Sequence, residues 1–249
     1  MTALHRALLR IRPEPLAAVL KALLGVSRRD VDTPYGRFFI DPASNFGARL
    51  TSSGGYEPEE TAKILNLTRD AKTFVDVGAN EGYFSVLAAK NMGAGAKVLA
   101  IEPQQRLLPV LRRNMALNDV SFDVVACAIA DSETTAEMSF SSSMNTGATG
   151  FVQTTRYRRP RHTVPVARLE RILNDAAMPV VDCMKMDIEG LEYEAILGSR
   201  QLFERRAIKR ILIEMHPPQM AQRGHDPATL VDFLSACGYH NDGMVWRIA

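Results

Sequence analysis

The sequence predicts an α/β protein, a mostly parallel sheet flanked by helices on both faces. Three observations carry that expectation. Short apolar runs of strand length alternate with amphipathic runs of helical period from about residue 73 onward. Several of those runs end in an acid followed by a turn. Strand–helix alternation of this kind buries the strands between two helical layers. The 249 residues suffice for one such domain with a full core and some decoration. Residues 69–249 are read as that domain, with an inserted loop at about 137–168. Residues 1–68 are read as a helical and short-strand segment packed on it.

At the N-terminus, Leu16, Val19, Leu20, Leu23 and Leu24 recur at helical spacing. They predict a short amphipathic helix packed on the domain or across a homo-oligomer contact, with peripheral membrane attachment as the alternative. Arg6, Arg10, Arg12, Pro13, Glu14, Pro15 and Lys21 interrupt the apolar residues there. No stretch reaches the ~20 apolar residues of a membrane span, and no unbroken apolar centre with a small-residue cleavage site marks a secretory signal. No transmembrane segment is expected, and the expected location is cytoplasmic. Residues 35–40 predict a strand with a turn at Pro34-Tyr35-Gly36, residues 52–58 a loop, and residues 59–67 a helix.

The alternation then begins with strand 73–77, helix 83–91, strand 96–101, helix 108–118 and strand 122–127. Pro109 falls in the first turn of its helix, where a missing N–H does no harm. The insertion holds a short strand at 137–141, a polar loop at 142–149 and a strand at 164–166. Helix 169–175 follows, then strand 180–186 ending at Asp187, and helix 191–197 stopped by Gly198. A helical piece at 201–205, strand 208–215, helix 228–237 and a hairpin at 239–248 around Asn241-Asp242-Gly243 complete the chain. This topology places Asp76, Glu102, Asp187 and His216 at or just past four strand ends on one rim. In open α/β sheets, ligands bind on that rim.

The most informative stretch is Phe74-Val75-Asp76-Val77-Gly78-Ala79-Asn80-Glu81-Gly82-Tyr83-Phe84-Ser85. It reads as a buried strand, a tight loop and a helix. Gly78 and Gly82 let backbone approach a ligand and take unusual dihedrals. Their spacing is G-x-x-x-G, which departs from the dinucleotide G-x-G-x-x-G. A carboxylate at Asp76 would repel a pyrophosphate and suits a cationic or amine-bearing ligand; S-adenosyl-L-methionine carries both an ammonium and a sulfonium. Glu102 ends the next strand about twenty residues after Gly82, near the spacing of a ribose-binding acid, and would repel a 2′-phosphate. Ala128, just past the third strand, leaves room for a flat adenine ring or is simply a small residue in a connection.

Asp187, in Lys185-Met186-Asp187-Ile188-Glu189-Gly190, points into the cleft or caps the helix that follows. His216 follows Ile211-Leu212-Ile213-Glu214-Met215 and precedes Pro217-Pro218, and an imidazole is the side chain suited to take a proton near neutral pH. Asp187, Glu189, Glu214 and His216 together would also suit a hard cation, although no paired Asp-Asp or Asp-Asn signature accompanies Asp187. The basic run Arg156-Tyr157-Arg158-Arg159-Pro160-Arg161-His162 is either a solvated segment or a lid that meets an anionic acceptor.

Several function classes are disfavoured. The net charge of +2 does not imply nucleic acid or an anionic membrane. Cys127, Cys183 and Cys237 lie far apart without metal-ligand spacing, which suits buried thiols in a reducing compartment. No G-x-x-x-x-G-K-[ST] loop is present, and no (Asp/Asn)-Pro-Pro-aromatic motif follows the fourth strand.

The chain resembles the FkbM-type family of S-adenosylmethionine-dependent methyltransferases. The resemblance starts at Gly55-Tyr56-Glu57-Pro58 and takes in residues 74–85, Ile101-Glu102-Pro103, Asn114, Asn118, Lys185 to Gly190 and Ile213-Glu214-Met215-His216. It implies a class I methyltransferase, Rossmann-like sheet and O-methylation of a hydroxyl on a small molecule, often a sugar or secondary metabolite. Asp76, Gly78, Asn80 and Gly82 would line the methionine end, with Glu102 on ribose. Leu169-Glu170 stands where family members often carry Leu-Asp, so no role is transferred to that acid. Asp187 and His216 are the expected catalytic pair, with no metal required. A nucleotide-binding module without methyl transfer and an RNA methyltransferase are the competing readings.

Overall fold

The structure is a computed structural model that describes residues 8, 11, 14–53, 55–139 and 161–248. The polar loop expected at 142–149 and the basic residues 156–160 lie outside the described residues. The N-terminal region supplies α1 (Glu14–Leu23), β1 (Arg29–Thr33), β2 (Gly36–Ile40), α2 (Asn45–Ser53) and α3 (Pro58–Thr68). The alternating part follows with β3 (Thr73–Val77), α4 (Tyr83–Asn91), β4 (Lys97–Ile101), α5 (Leu108–Leu117) and β5 (Asp123–Val125). Next come β6 (Ala128–Ile129), β7 (Thr134–Ser139), β8 (Arg161–Ala167) and α6 (Leu169–Asp175). The last third holds β9 (Cys183–Met186), α7 (Glu192–Leu197), α8 (Arg200–Glu204), β10 (Arg210–Ile213), α9 (Pro217–Gln222), α10 (Pro227–Ala236), β11 (Tyr239–Asp242) and β12 (Val245–Ile248).

The central sheet has the order β11-β12-β10-β9-β3-β4-β5. Strands β10, β9, β3, β4 and β5 are mutually parallel, and β12 runs antiparallel to both of its neighbours. Side chains alternate across each strand, so each face has its own core. Val75, Val77, Leu99, Ile101, Met184, Met186, Ile211 and Ile213 face one buried cluster. Phe74, Val98, Cys183 and Leu212 face the other, which also takes in Phe38, Ile40 and Phe46 of the N-terminal region. The same alternation puts Asp76 and Lys185 on this second face, paired in register across β3 and β9.

Two expectations need correction, and two are met with added detail. The strand expected at 122–127 is split: β5 stops at Val125, and the chain leaves the sheet edge so that β6 pairs with β8. The strands expected at the two ends of the insertion are present and paired, β7 against β8 from Thr134↔Val166 to Ser139↔Arg161. Helix α7 ends at Gly198 as expected, with Gly198 at φ −66°. A Cβ there would lie 2.3 Å from the Cα of Asp131, so a close backbone approach requires the glycine. Finally, the apolar stripe of α1 does not face the protein. Leu16, Val19 and Leu23 are 47%, 56% and 78% exposed, while Ala17 and Leu20 make the contact with Leu8 and Ala43.

Polar contacts hold the N-terminal region to the domain. The Arg28 guanidinium donates to both carboxylate oxygens of Glu81, each at 2.8 Å, and Glu81 is 2% exposed. Asn114 Nδ2 donates to the Glu81 carbonyl at 2.8 Å, while its Oδ1 accepts from the Phe39 N–H at 2.7 Å. Removing one partner of a buried pair strands the other charge. Arg28→Met is therefore expected to destabilise the fold by roughly 2–4 kcal/mol in denaturant unfolding. A loss below about 0.5 kcal/mol, the range of a solvated surface pair, would contradict this account of the contact.

Candidate functional site

A cavity of about 300 Å³ opens where the carboxyl ends of β3, β4, β9 and β10 meet the N-terminal region. One wall is the turn between β3 and α4. The N–H groups of Gly78 and Ala79 both donate to the Ile101 carbonyl, at 2.9 and 3.0 Å, pinning the turn to β4. Gly78 has φ +88°, and a Cβ on it would lie 1.9 Å from the Asp187 carbonyl oxygen. The turn therefore packs backbone against backbone on the chain after β9. Asn80 is left-handed as well (φ +51°), and its N–H donates to Glu102 Oε2 at 2.8 Å. The Gln104 N–H donates to Glu102 Oε1, also at 2.8 Å. Glu102 is thus aimed at the cavity by two fixed backbone donors. Burial outweighs those donors and pushes its carboxyl up to about 7.

Of the expected cofactor residues, Gly78, Asn80, Glu102 and Ala128 line the cavity. The buried Oδ1 of Asn80 has no hydrogen-bond partner, and a donor on a bound ligand would satisfy it. Ala128 stands among Cys127, Ile129 and Met138, an apolar wall. Asp76 and Gly82 do not line the cavity, contrary to expectation. Asp76 sits one residue inside β3 and faces the layer under α4, where Oδ2 accepts from Ser85 Oγ at 2.5 Å. Burial pushes its carboxyl up, against the opposing pull of Lys185 and Ser85. Gly82 opens α4 in a left-handed conformation, and a Cβ there would lie 2.8 Å from Leu111 Cγ. Both residues shape the turn from behind.

The opposite wall carries the acids. The Asp187 N–H donates to the Val77 carbonyl at 3.0 Å, holding the segment after β9 against β3. Lys185 Nζ lies 3.3 Å from Asp187 Oδ2, and Asp187 Oδ1 is 3.8 Å from His216 Nε2. Glu189 Oε2 is also 3.8 Å from that nitrogen. Burial, with Asp187 and Glu214 nearby, pushes Glu189 up to about 7 against the opposing effect of His216. Glu214 is raised too, by burial and then by Asp187. His216 does not itself line the cavity. It caps α9, with Nδ1 2.9 Å from Glu192 Oε1 and Nε2 turned toward Asp187 and Glu189, which do line it. Burial acts to lower the imidazole pKa, but the bonded Glu192, with Asp187 and Glu189, outweighs it and raises the pKa to about 9.

Sequence reasoning missed most of the N-terminal wall. Asn45, Phe46, Arg49, Tyr56 and Glu57 line the cavity. Tyr56 packs edge-on against Phe46 and Tyr83, with ring centroids 4.9 and 5.8 Å apart. Glu192, buried behind His216, had no signal in the sequence beyond its helix position. Glu170 lies away from the cavity and pairs with Arg205 at 3.5 Å.

The sheet order, the glycine turn after β3 and the acid after β4 define a class I methyltransferase fold. Within that class the chain belongs to the FkbM methyltransferase family: residues 76–240 match the Methyltransferase FkbM domain. It is similar to methyltransferase sdnD of Sordaria araneosa, with 29% identity over 153 residues, 50% of this chain and 59% of that protein. The chain therefore spans less than two thirds of that relative's length. A solved precorrin-6y C5,15-methyltransferase from Geobacter metallireducens is 18% identical over 73% of this chain and 71% of its own, with TM-score 0.43. A Pyrococcus abyssi tRNA (uracil-54, C5)-methyltransferase, solved with S-adenosyl-L-homocysteine, is 14% identical over 87% of this chain and 39% of its own, with TM-score 0.45.

The raised Glu102 carboxyl has a consequence for stability. A folded-state pKa above the unfolded value gives stability that is complete below about pH 4.5 and lost as pH rises through about 7. Wild type should therefore lose roughly 2–3 kcal/mol relative to Glu102→Gln between pH 4.5 and pH 8. Denaturant unfolding of both proteins across that range checks it; an offset independent of pH would refute the buried-carboxyl account.

Proposed function

We propose that the chain is an S-adenosyl-L-methionine-dependent O-methyltransferase whose acceptor is a small hydroxylated molecule, a sugar or secondary metabolite. The observation that carries this reading is the union of the Gly78–Asn80 turn with Glu102 through the Asn80 N–H bond. That unit presents a carboxylate to paired hydroxyls, as a ribose would offer. The rest of the cavity is acidic: Glu57, Asp187, Glu189 and Glu214 line it against Lys185 and Arg49. This balance suits a ligand bearing an ammonium and a sulfonium, and it opposes the phosphates of a dinucleotide.

When bound, the cofactor supplies an electrophilic methyl carbon on positively charged sulfur. The chain contributes position and charge. Gly78 and the Asp187 backbone set the shape of the donor end, and Glu102 orients the nucleoside. Asp187 and His216 stand on the acceptor side. The acceptor oxygen would take the methyl group as the thioether leaves, and neutral His216 would take the proton that this oxygen gives up. The carboxylates around the imidazole hold its pKa at about 9, so His216 accepts the proton only in its neutral form, and turnover should rise with pH up to about 9. Holding the two reactants in line supplies most of the acceleration.

Two variants separate the ends of the site. Glu102→Ala is expected to weaken S-adenosyl-L-homocysteine binding by about tenfold or more in calorimetry, the loss of a charge-assisted hydrogen bond of ~1.5–3 kcal/mol. His216→Ala should leave that affinity within about twofold while turnover falls by roughly 10²–10⁴. Turnover is read as S-adenosyl-L-homocysteine released in a screen of hydroxylated metabolites. Unchanged affinity in Glu102→Ala would remove the cofactor placement, and near-full turnover in His216→Ala would remove the base.

A further inference from the structure

We propose that Asp187, Glu189 and His216 form a binding site for a divalent cation. One ligand atom from each lies within 4.8 Å of the others. Nε2 of His216 stands 3.8 Å from Asp187 Oδ1 and 3.8 Å from Glu189 Oε2. Two ligand atoms bound about 2.1 Å from a common ion stand roughly 3–4 Å apart, so the spacing fits one ion between them.

The second shell has the arrangement such a site needs. Glu192 is fully buried, and its Oε1 lies 2.9 Å from His216 Nδ1. A histidine whose Nδ1–H is held by a carboxylate presents its Nε2 lone pair outward, the tautomer and ring orientation found at metal sites. Glu192 Oε2 is buried with no hydrogen-bond partner, while Oε1 also accepts from the Ile188 and Gly190 N–H groups at 3.3 and 3.2 Å, fixing the carboxylate behind the imidazole. Lys185 is engaged on the other oxygen of Asp187, leaving Oδ1 directed to the cluster. Glu214, which also lines the cavity, adds a further carboxylate nearby.

One imidazole with two carboxylates suits a first-row divalent ion such as Mn²⁺ better than an all-oxygen cage would. Asp187 and Glu189 line the cavity, so the ion would stand at the acceptor end; that functional placement rests on the reading above, while the cation site does not. Nε2 has a single lone pair, so His216 is a ligand with the ion bound and a proton acceptor without it.

Mn²⁺ binding to the metal-stripped full chain, followed by electron paramagnetic resonance and calorimetry, tests the proposal. One ion per chain is expected. His216→Ala and Glu189→Gln should each weaken it at least about tenfold, and Glu192→Gln, checked for folding by circular dichroism, by about 10–100-fold. Glu170→Gln, a carboxylate outside the cluster, should bind as wild type does. Absence of binding at millimolar Mn²⁺, or equal affinity in His216→Ala and Glu189→Gln, overturns the site. S-adenosyl-L-homocysteine binding to the metal-stripped protein is measured in parallel. If it binds and Mn²⁺ does not, the cation site alone fails; if Mn²⁺ binds and it does not, the cofactor reading alone fails.

Discussion

The rim of this sheet is organised around one buried ammonium. Lys185 is 3% exposed and sits between Asp76, its register partner on β3, and Asp187, 3.3 Å away. Taking an ammonium out of water costs several kcal/mol, and only close opposite charge offsets that. Burial alone would depress the lysine, yet Asp187 and Asp76 hold its pKa above the ordinary value. The Phe84 ring, 5.0 Å from Nζ, adds its face to the enclosure. Two consequences follow for the site. Asp76 gives Oδ2 to Ser85 in the layer under α4, while its buried Oδ1 has no hydrogen-bond partner. Asp187 spends one oxygen on the lysine and keeps the other for the cavity. The turn after β3 must also close down on the Asp187 carbonyl, which a Cβ at Gly78 would prevent.

A second buried pair ties the N-terminal region to this frame. Arg28 grips Glu81 inside the glycine turn, and Asn114 bridges the Glu81 carbonyl to the Phe39 N–H. The turn is therefore held on three sides: by β4 through Ile101, by the Asp187 segment through Gly78, and by the N-terminal hairpin through Arg28. That third contact matters because Phe46, Tyr56 and Glu57 form the far wall of the cavity. The segment before the first core strand is thus part of the site.

What the sequence made legible follows this division. Strand 73–77, helix 83–91 and helix 169–175 agree with the structure to the residue, the first two joined by the glycine turn Gly78–Gly82. Strand β1 was not recognised: Arg-Asp-Val-Asp-Thr has low strand propensity, and pairing with β2 forms it. Helix α2 was missed because Gly47, Thr51, Ser52 and Ser53 are weak helix formers. It forms where the Gly47 N–H donates to Ser44 Oγ and Gly47 can press on the Asp41 carbonyl. At the site, the strand ends of the pattern put Glu102 and Asp187 where both line the cavity. Asp76, one residue inside β3, alternates to the face under α4 and so falls outside the cavity lining. Glu192 was invisible because nothing local distinguishes a helical glutamate that will meet a distant histidine.

The two ends of the cavity are therefore legible to different degrees for a physical reason. At the Glu102 end, charge is met by backbone N–H groups of Asn80 and Gln104, whose directions are set by the turn itself. Glycine spacing and strand length encode those directions, so a short motif carries them. At the Asp187 end, charge is met by side chains from three separate segments: Lys185 before it, Glu192 after it and His216 beyond β10. Their meeting depends on sheet order, which no local pattern contains. Fixed dipoles suit a ligand part that is the same in every turnover, as a methyl donor is. Side chains borrowed from several elements can be exchanged singly without disturbing the turn, and an acceptor that differs between relatives would be recognised there.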